Sequence, residues 1–243
     1  MKKEDLWKIA IGLQDVDNLK VSDYLIELSK DHIAGLLDIQ EVRERINKYY
    51  NGITIENRQE EADKVSIGIV EILMEDDFDL SPLQLNKIHK ILFNGLYKEA
   101  GKYRNYNITK EEKILDNDTV VYTSFENIKD TLDYDFNEER KTSYKNYSID
   151  KFINHISIFI SNIWQVHPFC EGNTRTISVF LIKYLRYLHH DINPSLFENK
   201  SHLFRDSLVK SNYSNYQKNI VSDNSVLKNF FYNLLTDSNY DLN

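Results

Sequence analysis

Nine consecutive residues, His167-Pro168-Phe169-Cys170-Glu171-Gly172-Asn173-Thr174-Arg175, gather most of the side chains in this sequence that could carry chemistry. They lead straight into a helix-patterned segment, and a helix N-terminus exposes about four backbone N–H donors and roughly half a positive charge. Gly172 permits a backbone path that a side chain would block. Asn173 can adopt left-handed geometry or donate an amide hydrogen bond. Thr174 can cap, and Arg175 adds a fork of donors in the first turn. Such a set is a cradle for an anion, best for phosphate oxygens. Glu171 has the opposite character. Beside a polyphosphate it is repelled unless a cation lies between them, which points to Mg²⁺. His167 can take or give a proton near neutrality. The competing reading is a plain Gly-Asn turn between two helices. Phe169 reads as a plug that fixes the loop in the core, and Cys170 as an inert thiol with no visible activating partner.

The segments flanking this run must hold it in place. Before it, Phe152, Ile153, Ile156, Phe159, Ile160, Ile163 and Trp164 recur at helical spacing; after it, Ile177, Phe180, Leu181, Tyr184, Leu185 and Leu188 do the same. Both stripes are wide, which predicts two helices in the middle of the protein with neighbours on several sides. Further helices are predicted over 20–35, with Ser22 as N-cap, and from Asp38, where Glu41 completes a capping box. Others follow over 57–76, from Ser81-Pro82 with Ser81 as cap, from Ser124 to about Arg140, and over 201–213 and 223–236. His32 and His89 read as structural histidines beside apolar neighbours. The acidic run Glu75-Asp76-Asp77 reads as a solvated helix end. From Gly101 to Tyr122 the helical period fails, and Asn117-Asp118 before Val120-Val121-Tyr122 predicts a short β-hairpin. The expectation is an all-α protein with one small β excursion. Residues 1–50 form an N-terminal helical extension and residues 51–243 the main domain, with Asn51-Gly52 at the boundary.

Composition bounds the function. Hydrophobic residues make up 41% and charged residues 28%, ordinary for a globular protein with a sizeable core. Only 7 Gly and 3 Pro favour long helices over a turn-rich β fold. The formal charge of −8 argues against general nucleic-acid binding. A single cysteine excludes an intrachain disulfide and a multi-cysteine zinc site. The first residues lack the apolar core of a signal peptide, and no apolar run is long enough to span a membrane, so the cytoplasm is the default location.

The run from His167 to Arg175 resembles the signature of the Fic family of protein adenylyltransferases, H-P-F-x-[D/E]-G-N-[G/K]-R-x-x-R. Ala100-Gly101-Lys102-Tyr103-Arg104 and Asn107-Ile108 resemble the stretch that precedes the Fic active-site flap. The similarity spans about residues 55–235, and residues 1–50 resemble the helical extension of some bacterial members. The resemblance implies a Fic-type helical bundle and transfer of AMP from ATP to a hydroxyl of a target protein. His167 would be the base, Glu171 would hold Mg²⁺, and Gly172, Asn173 and Thr174 would line the phosphate nest. Arg175 would bind the β-phosphate side and offset charge on the leaving group, with Asn173 assisting and Phe169 holding the loop. The 108–122 hairpin would be the flap on which the target protein docks as an added strand. A separate inhibitory partner and a homo-oligomer are both compatible with the resemblance.

The sequence departs from the signature at Thr174, where Gly or Lys is usual, and at Ser178, where a second Arg is expected. That Arg commonly binds the γ-phosphate, so a different nucleotide, a phosphotransfer reaction or a non-catalytic interaction role stays open. His202, Arg205 and Lys210 are candidates for replacement charge. The family's inhibitory motif, [S/T]-x-x-x-E-[G/N], is matched only at its end by Glu56-Asn57, with Gly52 in the first position. No conventional Glu–Arg lock is therefore expected, and residues 1–50 remain candidates for covering the site.

Overall fold

A computed structural model describes residues 1–52 and 58–242. Among these residues the chain forms ten α-helices: α1 Lys3–Gly12, α2 Asp23–Ile33, α3 Ile39–Tyr50, α4 Gln59–Met74, α5 Pro82–Phe93, α6 Ile128–Lys141, α7 Ile149–Val166, α8 Asn173–Tyr187, α9 Pro194–Ser211 and α10 Ser225–Leu235. The two segments flanking the central run become α7 and α8. Every residue of α8 from Asn173 to Leu185 is buried. A helix buried all round must have neighbours on all sides, and α4, α5, α7 and the 3₁₀ turn Leu13–Asp17 supply them. Helices α6, α9 and α10 cover the other faces of α7. No helix among the described residues is long and apolar enough to cross a membrane.

Several local expectations are realised in the hydrogen bonds. Ser22 Oγ accepts from Leu25 N–H at the start of α2. Asp38 and Glu41 form the reciprocal box at the start of α3. Two proposed caps are not formed. The Ser81 hydroxyl donates to the Asp79 carboxylate instead, leaving Pro82 alone to start α5. Ser124 precedes a 3₁₀ turn, Phe125–Asn127, and α6 begins only after it.

Residues 1–50 pack into the same core as the rest. Leu6, Trp7, Ile9, Ala10 and Leu13 are buried, with α1 crossing α4 and α9. At Gly12 an added Cβ would lie 2.4 Å from the Phe197 carbonyl oxygen, so only glycine allows α1 and α9 this close. Asp63 on α4, fully buried, ties the extension down: it accepts from Ser22 N–H, Ser22 Oγ–H and the Tyr50 hydroxyl. His32 is buried too, and its Nδ1 accepts from Trp7 Nε1–H at 2.9 Å.

The predicted β-hairpin is not formed; the described residues contain no β-strand. Glu112 and Asp118 make one isolated antiparallel bridge around the 3₁₀ turn Lys113–Leu115, with Asp116 and Asn117 at positive φ. The reason lies in where the polar groups of 119–123 go. Val121 O accepts from Gln165 Nε2–H, Thr123 N–H donates to Gln165 O, and Thr123 O accepts from Arg104. Helix α7 and one arginine thus take the bonds a partner strand would have made.

Candidate active site

The loop between α7 and α8 is fixed by its own residues and by partners outside it. His167 caps α7 in left-handed geometry (φ 48°, ψ 59°), and its N–H donates to Trp164 O. Phe169 is fully buried and stacks on His89 at 3.9 Å. Asn173 closes the loop with its side chain: Oδ1 accepts from Phe169 N–H at 2.9 Å and Nδ2–H donates to Phe169 O at 2.8 Å. Trp164 Nε1–H donates to Thr174 Oγ1 at 3.0 Å. The first helical bond of α8 runs from Thr176 N–H to Gly172 O. The N–H groups of Asn173, Thr174 and Arg175 therefore stand outside the helical ladder, at the positive end of the dipole.

Gly172 has φ 70°, and a Cβ there would fall 2.1 Å from the Phe93 ring. Both the left-handed backbone and the packed ring require glycine. Gly172→Ala is expected to lower the unfolding free energy by about 2–4 kcal/mol, read from chemical denaturation; an unchanged midpoint would contradict the packing.

His167 is 3% exposed, and neither ring nitrogen has a hydrogen-bond partner. Its ring lies 4.3 Å from that of Tyr122 and 5.5 Å from that of Trp164, centroid to centroid. Burial, then the charges of Lys110 and Arg104, push its pKa well below the ordinary histidine value. The imidazole is accordingly neutral, the form that can accept a proton. Glu171, by contrast, points out. Its side chain is half-exposed, with Lys110 Nζ 3.9 Å away.

Arg175 departs from expectation in its surroundings. It is fully buried and points toward the N-terminal part of the chain. Its Nη2–H donates to Glu61 Oε1 at 2.6 Å and its Nη1–H to Gln14 Oε1 at 3.1 Å. Its Nε lies 2.8 Å from Asp17 Oδ2, an ion pair outside hydrogen-bonding geometry. The guanidinium also sits over the Phe93 ring at 4.9 Å. Glu61 is shared with Arg58, which donates to both of its oxygens at 2.7 Å. Ser178 is fully buried, with its hydroxyl donating to Thr174 O at 2.8 Å, so it offers neither charge nor space for one. Glu56 and Asn57, the end of the inhibitory pattern, lie outside the described residues. The contact between Glu61 and Arg175 involves a different carboxylate and the first arginine of the signature.

Of the three candidate replacement charges, two meet. His202 and Arg205 line a cleft of about 620 Å³ with Asp15, Asp17, Arg58 and Glu112. Both are already partnered there: His202 Nδ1 lies 2.9 Å from Asp15 Oδ2, and Arg205 pairs with Glu112 at 2.6 Å. Lys210 lies elsewhere, beside Tyr213 and Val221.

Sequence reading gave no role to Glu61, Asp17 or His89 in this loop. One signal for Glu61 was available: it falls four residues before Val65 on the apolar stripe of α4, where a carboxylate needs a partner. His89 bridges two chains of the loop region. Gly101 N–H donates to its Nδ1 at 2.8 Å, so Nε2 carries the proton and donates to Glu171 O at 3.0 Å. Burial drives its pKa down to about 4. Between pH 6.5 and 4 the unfolded chain binds a proton that the folded chain refuses. His89 therefore contributes stability that is complete above pH 6.5 and is lost as pH falls toward 4, by about 3 kcal/mol in all. Urea unfolding across that range should be flatter in His89→Gln than in the wild type; equal slopes would contradict this.

The most buried helix of this all-helical protein thus opens on a loop that carries an imidazole, a carboxylate and backbone N–H groups outside the helical ladder. A model of the Fic/DOC family matches residues 79–185, which run from just before α5 into α8 and contain the whole loop. The chain is 28% identical over 116 residues to protein adenylyltransferase VbhT of Bartonella schoenbuchensis, a match covering 48% of this chain and 23% of that protein. It thus spans about a quarter of that relative's length. It is 28% identical over 167 residues to probable protein adenylyltransferase y4lH of Sinorhizobium fredii, covering 65% of this chain and 82% of the relative. Among solved structures, the BepC protein of Bartonella tribocorum with bound AMPPNP superposes with a TM-score of 0.59 at 18% identity, over 76% of this chain and 89% of that one. That likeness establishes the fold.

Proposed function

We propose that this chain transfers AMP from ATP to a hydroxyl of a target protein. The observation that carries the reading is the joint presence, on one loop of a Fic/DOC domain, of a neutral, unpartnered imidazole, an outward carboxylate and the open N-terminus of α8. His167 takes the proton from the target hydroxyl, whose oxygen bonds to the α-phosphorus. The bond from that phosphorus to the bridging oxygen breaks, and pyrophosphate leaves. The N–H groups of Asn173, Thr174 and Arg175 receive phosphate oxygens; the Asn173 side chain keeps the loop shaped for this, with Phe169 as its anchor. Glu171 fits Mg²⁺, because a half-exposed carboxylate with one distant cation is free to take a metal. A single protein carboxylate suits an ion held otherwise by phosphate oxygens and water. When bound, Mg²⁺ would neutralise phosphate charge.

Two features favour a second reading, a related transferase that uses another nucleotide or moves another group: Ser178 in place of an arginine, and Arg175 held by carboxylates. Incubation with Mg-ATP labelled at the α- or the γ-phosphorus separates the two. Protein-bound α-label that depends on His167 supports AMP transfer. Protein-bound γ-label supports phosphotransfer, and no label in either case removes ATP as the donor.

A further inference from the structure

Arg104 stands outside the loop but bonds its first two residues and the last residue of α7. It is 3% exposed. Its Nε–H donates to His167 O at 2.8 Å and an Nη2–H donates to Val166 O at 3.2 Å. Its own backbone N–H donates to Pro168 O at 2.8 Å. Three successive carbonyls at the end of α7 are thereby held by one residue. A cation at this position also meets the negative end of the α7 dipole. The same guanidinium reaches the 107–122 loop at both ends: Nη1–H donates to Tyr106 O at 2.8 Å, and Nη2–H donates to Thr123 O.

These contacts bear on His167 from two sides. Its left-handed backbone is uncommon for a bulky residue and persists only where the surroundings hold it. The bond to its carbonyl does that. Tyr122, whose ring lies 4.3 Å from the imidazole, is the immediate neighbour of Thr123, whose carbonyl Arg104 also holds. The side chain that carries the candidate base and the side chain that covers it therefore take their positions from one planar fork. We propose that Arg104 is a positioning residue that sets the aim of His167 and the seat of Tyr122 over it. This rests on the reading of His167 as the base.

Lysine has three donors on one atom and no planar fork, so it cannot serve four carbonyls at once. The experiment compares the wild type, Arg104→Lys and Arg104→Met as full-length chains, with α-labelled Mg-ATP as donor and the chain itself as acceptor. ¹⁵N-histidine ring resonances are recorded in parallel. Arg104→Lys is expected to lower kcat by about 100-fold while KM for ATP changes by less than about twofold. Its His167 ring resonance should move while those of His32 and His89 stay, and Arg104→Met should be worse, so that lysine restores part of the loss. A folded Arg104→Lys with unchanged kcat and an unmoved His167 resonance overturns the proposal. So does a lower thermal midpoint with no change in either. If the wild type transfers nothing from ATP, the functional reading falls. The resonance then decides on its own: a shift confined to His167 upholds positioning by Arg104, and no shift ends it.

Discussion

His167→Ala is expected to remove label transfer, by at least about 10²–10⁴-fold, with the fold intact. The structure makes this a clean test. A catalytic histidine often also holds neighbours in place through its ring nitrogens, so that its removal confuses chemistry with folding. Here neither ring nitrogen of His167 has a hydrogen-bond partner, and the residue's structural bonds are made by its backbone, through Trp164 O and Arg104. Alanine keeps those bonds. It leaves a cavity beside Tyr122 and Trp164, which costs stability, but it also removes two buried polar atoms that water cannot reach, which restores some. The two effects oppose each other, so the unfolding free energy should stay within about 2 kcal/mol of the wild type. Intact-mass measurement after incubation with Mg-ATP, with chemical denaturation alongside, checks both halves. Normal modification by the variant would remove His167 from the base role. A collapse in stability would mean that the ring has a structural part the contacts do not display.

Much of this site was legible because its chemistry is local in the sequence. An imidazole, a carboxylate and a glycine that opens a helix all fall within nine residues, and the wide apolar stripes on either side announce central helices. What could not be read was anything decided by distant partners. Arg175 reads as a free cation at a helix start; only the packing of α4 and of the turn after α1 brings Glu61, Asp17 and Gln14 onto it. The hairpin failed for a similar reason. Val120, Val121 and Tyr122 have the composition of a strand, yet Gln165 and Arg104 take the backbone bonds. Ser81 and Ser124 have the right type for caps, but for Ser81 an acceptor two residues away competed better. For residues 1–50 the sequence leaves an arm packed on the rest and a separable domain equally open. Trp7, Ile9 and Leu13 join the core, so cutting away residues 1–50 would expose apolar surface and test folding before regulation.

Point changes at the Arg175 cluster ask the regulatory question without that damage. Asp17→Asn with Glu61→Gln is expected to tighten nucleotide binding about tenfold, or about 1.4 kcal/mol, and to raise transfer, at a cost in stability. In the wild type the guanidinium is fully buried against two carboxylates and an amide oxygen. A phosphate can recruit it only by displacing those carboxylates or by joining them, and like charges resist the second course. The amides keep the shape and one acceptor each, so Arg175 stays in place but loses its anionic competitors. The stability loss follows from charge. Burial alone would raise the Glu61 pKa, but the hydrogen bond from Arg58 and the charge of Arg175 outweigh it and hold the carboxyl below its ordinary value. A depressed carboxyl contributes stability that is complete above about pH 4.3 and is lost as pH falls through the folded value. Acid unfolding of the wild type should contain this term, and Glu61→Gln should lack it. Titration with a fluorescent ATP analogue and denaturation below neutral pH separate the effects. Weaker stability with unchanged nucleotide affinity would make Arg175 a strut between α8 and the N-terminal helices, and the phosphate would then depend on the backbone of the loop alone.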